Sequence, residues 1–385
     1  MKFHKRSFVL ASILCILISG FSYGQRPLAD LYKTGKVRFV QEMALDEKTM
    51  PKDVLFVGPA DIACDSAGNV YVMDFSDNSI KKFDSSGKFL KVIGRKGQGP
   101  GEFNMPIDMV FAKDRLVVWD MGNHRLCALT LTGELINAEN ESTFSARPRR
   151  IRTLPTGEIV LETEKTYFSE ADRPQDCFLE ILGPDLKPKK TIYSQPVLRN
   201  KYMRFEQGLT NLPQPFCSDV YWDISPSGGI IVGFSGKYEI SIYSSEGEKV
   251  STFSHSYEPV KVTEEDKKSF FDGMSYTTGA GVTRGAPDHI VKNTTFPRFK
   301  PAFSSLVVDS EGNTLVHTYG RTKDETYRYF DAFDSQGKFI ARVRVEGETL
   351  FPGYGQRAEI IDGSLWLTKY GSDELPKVIK YKISE

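Results

Sequence analysis

Histidine, acidic and serine side chains are the groups from which a catalytic or metal site in this chain would be built. Of its five histidines, four lie beyond the N-terminal segment, at His124, His255, His289 and His317. A metal site needs several imidazole or carboxylate groups that converge on one point. These histidines fall in a loop, at a strand end, in an inserted loop and in a strand, so they do not recur at one structural position. The sequence therefore predicts no metal site and no cofactor.

A Gly-rich stretch, GRKGQGPG at Gly94–Gly101, has the composition of a phosphate-binding loop. A phosphate loop, however, ends in Gly-Lys-Ser/Thr and leads into a helix, whose N-terminal amide groups hold the phosphate. Neither feature follows here, and we interpret the stretch as a turn that needs the conformational freedom of glycine. No Gly-x-Ser-x-Gly nucleophile elbow occurs either. We assign no catalytic residue, and enzyme activity stays an alternative without direct support.

The elements that position the polar side chains form a repeated structure. Apolar runs and short turns follow one another in the same order along the chain. The runs NVYVMDF, RLVVWD and NTLVHTY are typical of the second strand of each unit. The turn before each of these strands is built on Asp, Ser and Gly, which favour turns. Six such turns occur, at 65–69, 112–114, 155–157, 225–229, 309–313 and 362–364. Six units of four strands predict an all-β fold, a six-bladed β-propeller.

The two ends of the chain are expected to complete one ring. The last unit supplies only three strands, whereas the run KVRFVQEMAL at Lys36–Leu45 has no unit of its own. We predict that this N-terminal strand fills the outer position of the last blade and closes the ring. Residues 25–385 then form a single domain with insertions at about 198–215 and 258–296. In the second insertion, Thr263 and Asp266 are spaced as a helix capping box.

Residues 1–24 have the pattern of a secretory signal peptide, with basic residues followed by an apolar run at Phe8–Ile18. That run is shorter than the roughly 20 residues needed to span a bilayer as a helix. We expect an exported chain, periplasmic or secreted and not membrane-spanning. Lipidation at Cys15 is the less favoured alternative, since Leu14 and Ile16 do not suit that chemistry.

The charge balance and the cysteine spacing argue against two classes of function, nucleic-acid binding and zinc binding. The chain has 50 basic and 50 acidic residues, which does not fit a nucleic-acid-binding protein. Export permits disulfides, yet the spacing of the cysteines matches no disulfide or zinc motif. We interpret them as single thiols packed in strands and leave disulfide pairing open. The cysteines concerned are Cys64, Cys127, Cys177 and Cys217.

Two stretches carry a resemblance to a known family. GRKGQGPGEFNMPIDM resembles the beginning of an NHL repeat, and DMGNHRLCALTLTG at Asp120–Gly133 resembles its other half, with an Asp, Asn, Arg pattern. Asp74, Asn78 and Ile80 form a weaker copy, with Ser79 where Arg is expected. The chain is similar to the exported six-bladed NHL-like (also TolB-like) propellers of Bacteroidetes. That resemblance implies a family whose members mostly lack an assigned activity, although related propellers include amidating lyases and lactonases.

Such a propeller presents one loop face, formed by the loops that lead into first strands and those that join second to third strands. Loops on a rigid scaffold carry function, and aromatic and Arg side chains are enriched at recognition sites. We predict an exported binding protein for a carbohydrate, a peptide or an envelope protein; a channel-mouth lyase or lactonase and a structural envelope subunit are the alternatives. The aromatic side chains are equally compatible with packing between blades. The candidate ligand-binding residues are Phe103, Arg149, Arg150, Phe216, Trp222, Arg298, Tyr354, Gln356 and Arg357.

Overall fold

A computed structural model describes the chain from residue 27 to residue 384 with several gaps. The described residues are 27–168, 173–205, 208–274, 276–277, 283–319, 328–346, 358–361, 363–369 and 375–384. The expected signal peptide lies outside them, as do Tyr354, Gln356 and Arg357. None of the helices in the described part is long and apolar enough to cross a membrane.

Six antiparallel four-stranded blades follow one another along the chain, each running from an inner to an outer strand. The N-terminal segment contributes α1 (Leu28–Tyr32) and β1 (Lys36–Leu45). Blade one contains β2 (Pro59–Cys64), β3 (Val70–Asp74), β4 (Ser79–Phe83) and β5 (Phe89–Ile93). Blade two contains β6 (Pro106–Ala112), β7 (Arg115–Asp120), β8 (Arg125–Thr130) and β9 (Leu135–Asn140), with short 3-10 helices at Met121–Asn123 and Glu141–Thr143. Blade three contains β10 (Arg147–Thr153), β11 (Ile159–Lys165), β12 (Gln175–Leu182) and β13 (Pro188–Val197).

The second half of the chain adds two insertions to the same plan. A hairpin of β14 (Asn200–Phe205) and β15 (Gly208–Pro213) precedes blade four, which contains β16 (Val220–Ile224), β17 (Ile230–Phe234), β18 (Glu239–Tyr243) and β19 (Lys249–Ser254). The second insertion contains α2 (Glu264–Asp272), β20 (Tyr276–Thr277), β21 (Thr283–Arg284) and α3 (Asp288–Asn293). Blade five contains β22 (Ser305–Val308), β23 (Thr314–Thr318), β24 (Arg328–Phe333) and β25 (Phe339–Glu346). Blade six contains β26 (Ala358–Ile361), β27 (Ser364–Lys369) and β28 (Lys377–Ser384), with β1 as its outer strand.

The ring closes through the N-terminal strand. β1 pairs antiparallel with β28, from Arg38 opposite Ser384 to Leu45 opposite Val378. Its first residues also pair in parallel with β25 of blade five, so blades five and six form one eight-stranded sheet. The predicted closure of the ring by residues 36–45 is therefore confirmed, and the strand bridges two blades rather than one.

The helix before β1 adds a second contact at the joint. The Tyr32 hydroxyl is buried and donates a 2.9 Å hydrogen bond to Oδ2 of Asp309, in the first turn of blade five. The backbone N–H of Leu28 donates to Oε2 of Glu311 in the same turn, also at 2.9 Å. The N-terminal segment thus holds blade five through these hydrogen bonds and a short parallel pairing, and it holds blade six through antiparallel strand pairing.

Apolar side chains fill the spaces between neighbouring blades. All five residues of β3 are buried, because both faces of this inner part of the blade are covered by protein. Trp119 and Trp222 are both fully buried, in the cores around blades two and four. Fully burying a side chain such as Val, Leu or Phe contributes roughly 1.5–3 kcal/mol, so these interblade cores stabilise the ring.

Inner-strand aspartates connect successive blades around the central channel. Each of three buried or nearly buried carboxylates accepts a hydrogen bond from a backbone N–H of the next blade. The bonds run to Asp61 from Met109 (2.7 Å), to Asp108 from Ile151 (2.7 Å) and to Asp223 from Val308 (2.9 Å). Because a buried carboxylate needs such partners, these acidic side chains serve the joints between blades.

The four described cysteines are all free thiols. Cys127 and Cys177 are fully buried in the third strands of blades two and three. Burial raises the pKa of the Cys127 thiol to about 12, which keeps it protonated at neutral pH. The interpretation as buried thiols in strands therefore describes Cys127 and Cys177, whereas Cys217 lies in the loop before β16 and is only partly buried.

Candidate functional site

The loop face contains two clefts beside blade three. The aromatic cleft, of about 540 Å³, lies among blades three, four and five and is lined in part by Phe216, Tyr257, Phe296, Phe299, Lys201 and Lys300. The basic cleft, of about 720 Å³, lies between blades two and three and is lined in part by Arg147, Arg149, Lys165, His124, Phe168 and Tyr202. Both volumes fall in the range of small-molecule sites, about 300–1,000 Å³.

The inserted strand β14 forms the wall between the two clefts. Asn200 and Tyr202 line the basic cleft, whereas Lys201 lines the aromatic cleft, because successive side chains of a strand point to opposite sides. The buried Gln175 side chain anchors the base of this strand: its amide donates to the Asn200 carbonyl at 2.8 Å, and its oxygen accepts from the Arg199 N–H at 3.1 Å. The hairpin is thus held firmly where it divides the face.

Lys300 organises the floor of the aromatic cleft. Its Nζ lies 5.2 Å from the ring centroids of both Phe216 and Tyr319 and 2.6 Å from Oδ1 of Asp266 in α2. Burial raises the pKa of Asp266, but the hydrogen bonds from Lys300 and Thr263 lower it overall. Thr263 and Asp266 also form the capping box that begins α2. The inserted helix is therefore tied to the cleft by one ion pair.

Exposed rings form the mouth of the aromatic cleft. Tyr257 and Phe299 each keep 37% of their surface exposed. The guanidinium of Arg298 stacks over the Phe299 ring, 5.1 Å from its centroid. Proline contributes five lining residues, which give the cleft rigid apolar walls without N–H donors. This arrangement suits a ligand that presents an apolar face to aromatic rings.

Arg149 forms the floor of the basic cleft. Its Nη1 lies 2.9 Å from Oε2 of Glu164, and its Nε lies 3.6 Å from Oε1 of Glu162. The side chain nevertheless keeps 41% of its surface exposed. The guanidinium is thus fixed from behind while part of it faces the cleft.

A buried network supports Arg149 from below. Arg199 is 9% exposed and pairs with Glu162 at 2.9 Å, with Asp219 at 2.6 Å and with Glu164. Burial raises the pKa of Glu162, but the positive charges of Arg199 and Arg149 outweigh this effect and hold it below its usual value. Burial alone would lower the pKa of Arg199, but the negative charges of the surrounding carboxylates raise it overall. Both charges are therefore kept, as a satisfied buried ion network requires.

The central channel is crossed by an ion pair. Nη2 of Arg152, in blade three, lies 2.7 Å from both carboxylate oxygens of Glu359, in blade six. Asp108 and Asp223 approach the same guanidinium at 3.9 and 3.6 Å. A small cavity of about 250 Å³ lies beside these groups, towards the face opposite the loop face. Among the residues that the structure describes, no group of three His, Cys, Asp or Glu side chains could hold a metal ion.

Comparisons with known proteins agree with this architecture. Residues 49–148 match a protein family described as a 6-bladed beta-propeller. A Bacteroides fragilis structure described as a candidate exported protein superposes with a TM-score of 0.51 at 11% identity, over 91% of this chain and 95% of that one. The chain is a six-bladed β-propeller.

Curated relatives match parts of this propeller. NHL repeat-containing protein 3 of Mus musculus is 30% identical over 111 residues, which are 28% of the propeller chain and 32% of that protein. The peptidylglycine alpha-amidating monooxygenase of Rattus norvegicus is 27% identical over 154 residues, 37% of this chain and 16% of that protein. The propeller chain spans less than a third of the length of either relative.

The NHL-like motif of the propeller holds the Gly94–Pro106 segment. Asp120 accepts a 2.7 Å hydrogen bond from the Asn104 N–H, and the Asn123 amide donates to the Gly97 carbonyl at 2.9 Å. Arg125 donates to the Glu102 carbonyl at 2.8 Å. The Asp, Asn and Arg of the motif therefore shape the loop that enters blade two.

Blade one of the propeller uses another cation for this role. Lys81 is almost completely buried, and its Nζ lies 3.0 Å from Asp74 and 2.8 Å from Asp77. The motif pattern expects an Arg at Ser79, but the cation that pairs with the Asp74 carboxylate is Lys81, two residues further along the strand. The two adjacent lysines of the third strand, Lys81 and Lys82 in SIKKF, were the available signal.

The structure separates the candidate ligand-binding residues into three groups. Arg149 lines the basic cleft, Phe216 lines the aromatic cleft, and Arg298 stacks beside it on Phe299. Tyr354, Gln356 and Arg357 lie outside the described residues. The side chains of the remaining candidates are directed into the protein; these residues are Phe103, Arg150 and Trp222.

Phe103 and Trp222 present no surface to a ligand. Phe103 is fully buried between blades one and two, and Trp222 donates a 2.8 Å hydrogen bond to Glu162 inside the network. Arg150 donates to the Trp222 carbonyl at 2.6 Å and stacks over its ring. The alternative interpretation, in which aromatic side chains pack between blades, describes Phe103 and Trp222 correctly. The cleft residues Tyr202, Phe168 and Arg147 were not identified from sequence, because their positions depend on the β14 wall.

Proposed function

We propose that this propeller is an exported binding protein whose loop face holds a carbohydrate or peptide ligand. The observation that carries the proposal is the division of the loop face into two clefts that share the β14 wall. An extended ligand that crosses this wall would contact both clefts at once. The candidate signal peptide and the resemblance to a candidate exported protein support the location.

The chemistry of the clefts supports recognition of a ligand. Aromatic rings with exposed faces and fixed guanidinium groups are the side chains that dominate the energy of recognition sites. Phe299 with Arg298 offers this pair at the aromatic cleft, and Arg149 offers a fixed cation at the basic cleft. Because these side chains are already held in place, binding costs little conformational entropy, which favours affinity.

The channel-mouth enzyme alternative has less support. Arg152 and Glu359, which would be the reactive groups of the channel, are paired with each other across it. The amidating activity named in one relative belongs to a protein of which this chain covers 16%. The envelope-subunit alternative predicts a stable partner, which a pull-down from envelope extract would recover.

Binding of glycan and peptide arrays by the full chain tests the proposal. Among the ligands that bind, Phe299→Ala and Arg298→Ala are expected to weaken affinity by about tenfold, because each removes half of a stacked recognition pair. Val250→Ala, on the exposed outer strand of blade four, serves as the control. Absence of any glycan or peptide ligand, or an affinity equal to that of the parent protein in both cleft variants, would rule out this use of the loop face.

A further inference from the structure

We infer that the basic cleft recognises the carboxylate groups of an acidic saccharide. The inference rests on the proposed function and names the ligand class for one of its two clefts. It is carried by three observations on the lining of this cleft: surplus positive charge, a guanidinium held in advance, and an exposed aromatic ring.

Positive charge exceeds negative charge in the basic cleft. The lining includes the cations Arg147, Arg149 and Lys165, against the carboxylates Glu141 and Glu164. Glu164 is buried and paired with arginines, and Glu141 lies 2.7 Å from the His124 ring. Arg147 and Lys165 are exposed, and neither forms an ion pair with any residue that the structure describes. Nζ of Lys165 lies over the Tyr167 ring, 5.6 Å from its centroid. An anionic ligand would therefore supply ion-pair partners for Arg147 and Lys165.

Arg149 is prepared to bind such an anion. Its guanidinium is held by Glu164 at 2.9 Å, and Glu164 is itself held by the buried Arg199. A planar guanidinium presents several N–H donors, so donors that do not face Glu164 remain available on its exposed side. Because the side chain is already ordered, binding of a carboxylate costs less conformational entropy.

An aromatic wall stands beside these cations. Phe168 is 58% exposed and meets Tyr202 edge to face, with the ring centroids 4.9 Å apart. Burial raises the pKa of Tyr202, so its hydroxyl stays protonated and can donate a hydrogen bond. A ring face, a hydroxyl and guanidinium groups within one cleft match the apolar face, hydroxyls and carboxylate of an acidic sugar.

The polar groups of this cleft favour a saccharide over a peptide. They belong to side chains, namely the Asn200 amide and the Thr166 and Tyr202 hydroxyls. Peptides that add to a sheet require a row of unpaired backbone groups. Here the backbone at Arg147 and Pro148 is paired with β11, and proline has no N–H.

Calorimetry with the full chain tests this inference, with trigalacturonate, its fully methyl-esterified form and pentaglutamate as probes. Trigalacturonate is expected to bind at least about tenfold more tightly than the neutral ester, because the ester lacks the charges that pair with arginine. Arg147→Gln and Lys165→Gln should each weaken trigalacturonate binding by about threefold to tenfold at low ionic strength. Both residues are exposed, so the variants should fold. Lys249→Gln, on the outer strand of blade four, matches the lost charge and should bind like the parent.

The possible outcomes separate the inference from the proposed function. Equal binding of acid and ester, or insensitivity to Arg147→Gln, overturns the acidic-saccharide inference. If a neutral ligand binds and only Phe299→Ala weakens it, the proposed function stands and this inference fails. If pentaglutamate binds more tightly than trigalacturonate and depends on Arg147, the ligand class is an acidic peptide and the saccharide is excluded.

Discussion

The side chains of Arg152 and Glu359 meet across the central channel, with Nη2 of the arginine 2.7 Å from each oxygen of the carboxylate. The two residues belong to blades three and six, which face each other in a six-bladed ring. Both side chains are largely buried, 13% and 15% exposed. Blades three and six are thus connected directly through the centre of the ring.

Arg152→Met should destabilise the propeller more than Glu359→Gln. The arginine variant leaves Asp108, Asp223 and Glu359 without their shared cation, and removing one member of a buried ion network costs about 3–5 kcal/mol. The glutamine variant keeps a hydrogen-bonding side chain, and Arg152 retains two other carboxylates. Urea unfolding measures both free energies; an equal or reversed order would contradict a central role for Arg152.

Acid should weaken the buried network around Glu162. Its folded pKa lies below the 4.5 of an ordinary Glu, so it contributes stability above that pH and loses the contribution as the pH falls through the lower, folded value. Glu162→Gln should therefore reduce the difference in melting temperature between pH 7 and pH 3. Glu265→Gln, on exposed α2, is the control and should keep the full difference. An unchanged pH dependence in Glu162→Gln would refute this assignment.

Tyr32→Phe should loosen the closure of the ring. The variant loses only the hydroxyl that donates to Asp309, and a hydrogen bond to a charged group contributes about 1.5–3 kcal/mol. Because Asn313 still donates to Asp309, we expect the lower end of that range. Relative to the parent protein, the variant should show faster hydrogen exchange in β1 and β28 but not in blade two. Tyr167→Phe removes a partly buried hydrogen bond to Asp176 within blade three and should leave the exchange of β1 and β28 unchanged.

Gly94→Ala should destabilise the passage from blade one to blade two. Gly94 has a φ of +75°, which L side chains rarely adopt, and a Cβ there would lie 2.3 Å from the Phe103 ring. Strain and overpacking together should cost about 2–4 kcal/mol. Thermal unfolding measures this loss. Gly285→Ala meets no atom within 4 Å and is the matched control.

The thiols should resist alkylation in the folded protein. Burial raises the pKa of Cys127 to about 12 and that of Cys217 to about 11, so little reactive thiolate exists at pH 8. Mass spectrometry after iodoacetamide should show little label at Cys127 and Cys217 in native buffer. In urea the same cysteines should label fully without any reductant, since no disulfide protects them.

Local patterns in the sequence were sufficient to predict the blades. Asp-x-x-Gly turns such as the one at Asp65–Asn69 restrict the backbone within a few residues, and apolar runs such as NVYVMDF form strands wherever such turns separate them. The capping box at Thr263 likewise depends on residues within one helical turn. The unpaired strand at residues 36–45 followed from counting strands, so the closure of the ring was also predictable.

Only the tertiary structure decided which candidate side chains are accessible on the loop face. Both faces of an inner strand are covered by neighbouring blades. The alternation of apolar and polar residues along the strand therefore cannot distinguish an exposed residue from a buried one such as Trp222. Phe103 is buried for the same reason, although it lies in a loop. The pairing of Arg152 with Glu359 joins residues 207 positions apart, and no local pattern encodes that contact. β14 separates the two clefts, and no local sequence pattern indicates which side chains of this strand line which cleft.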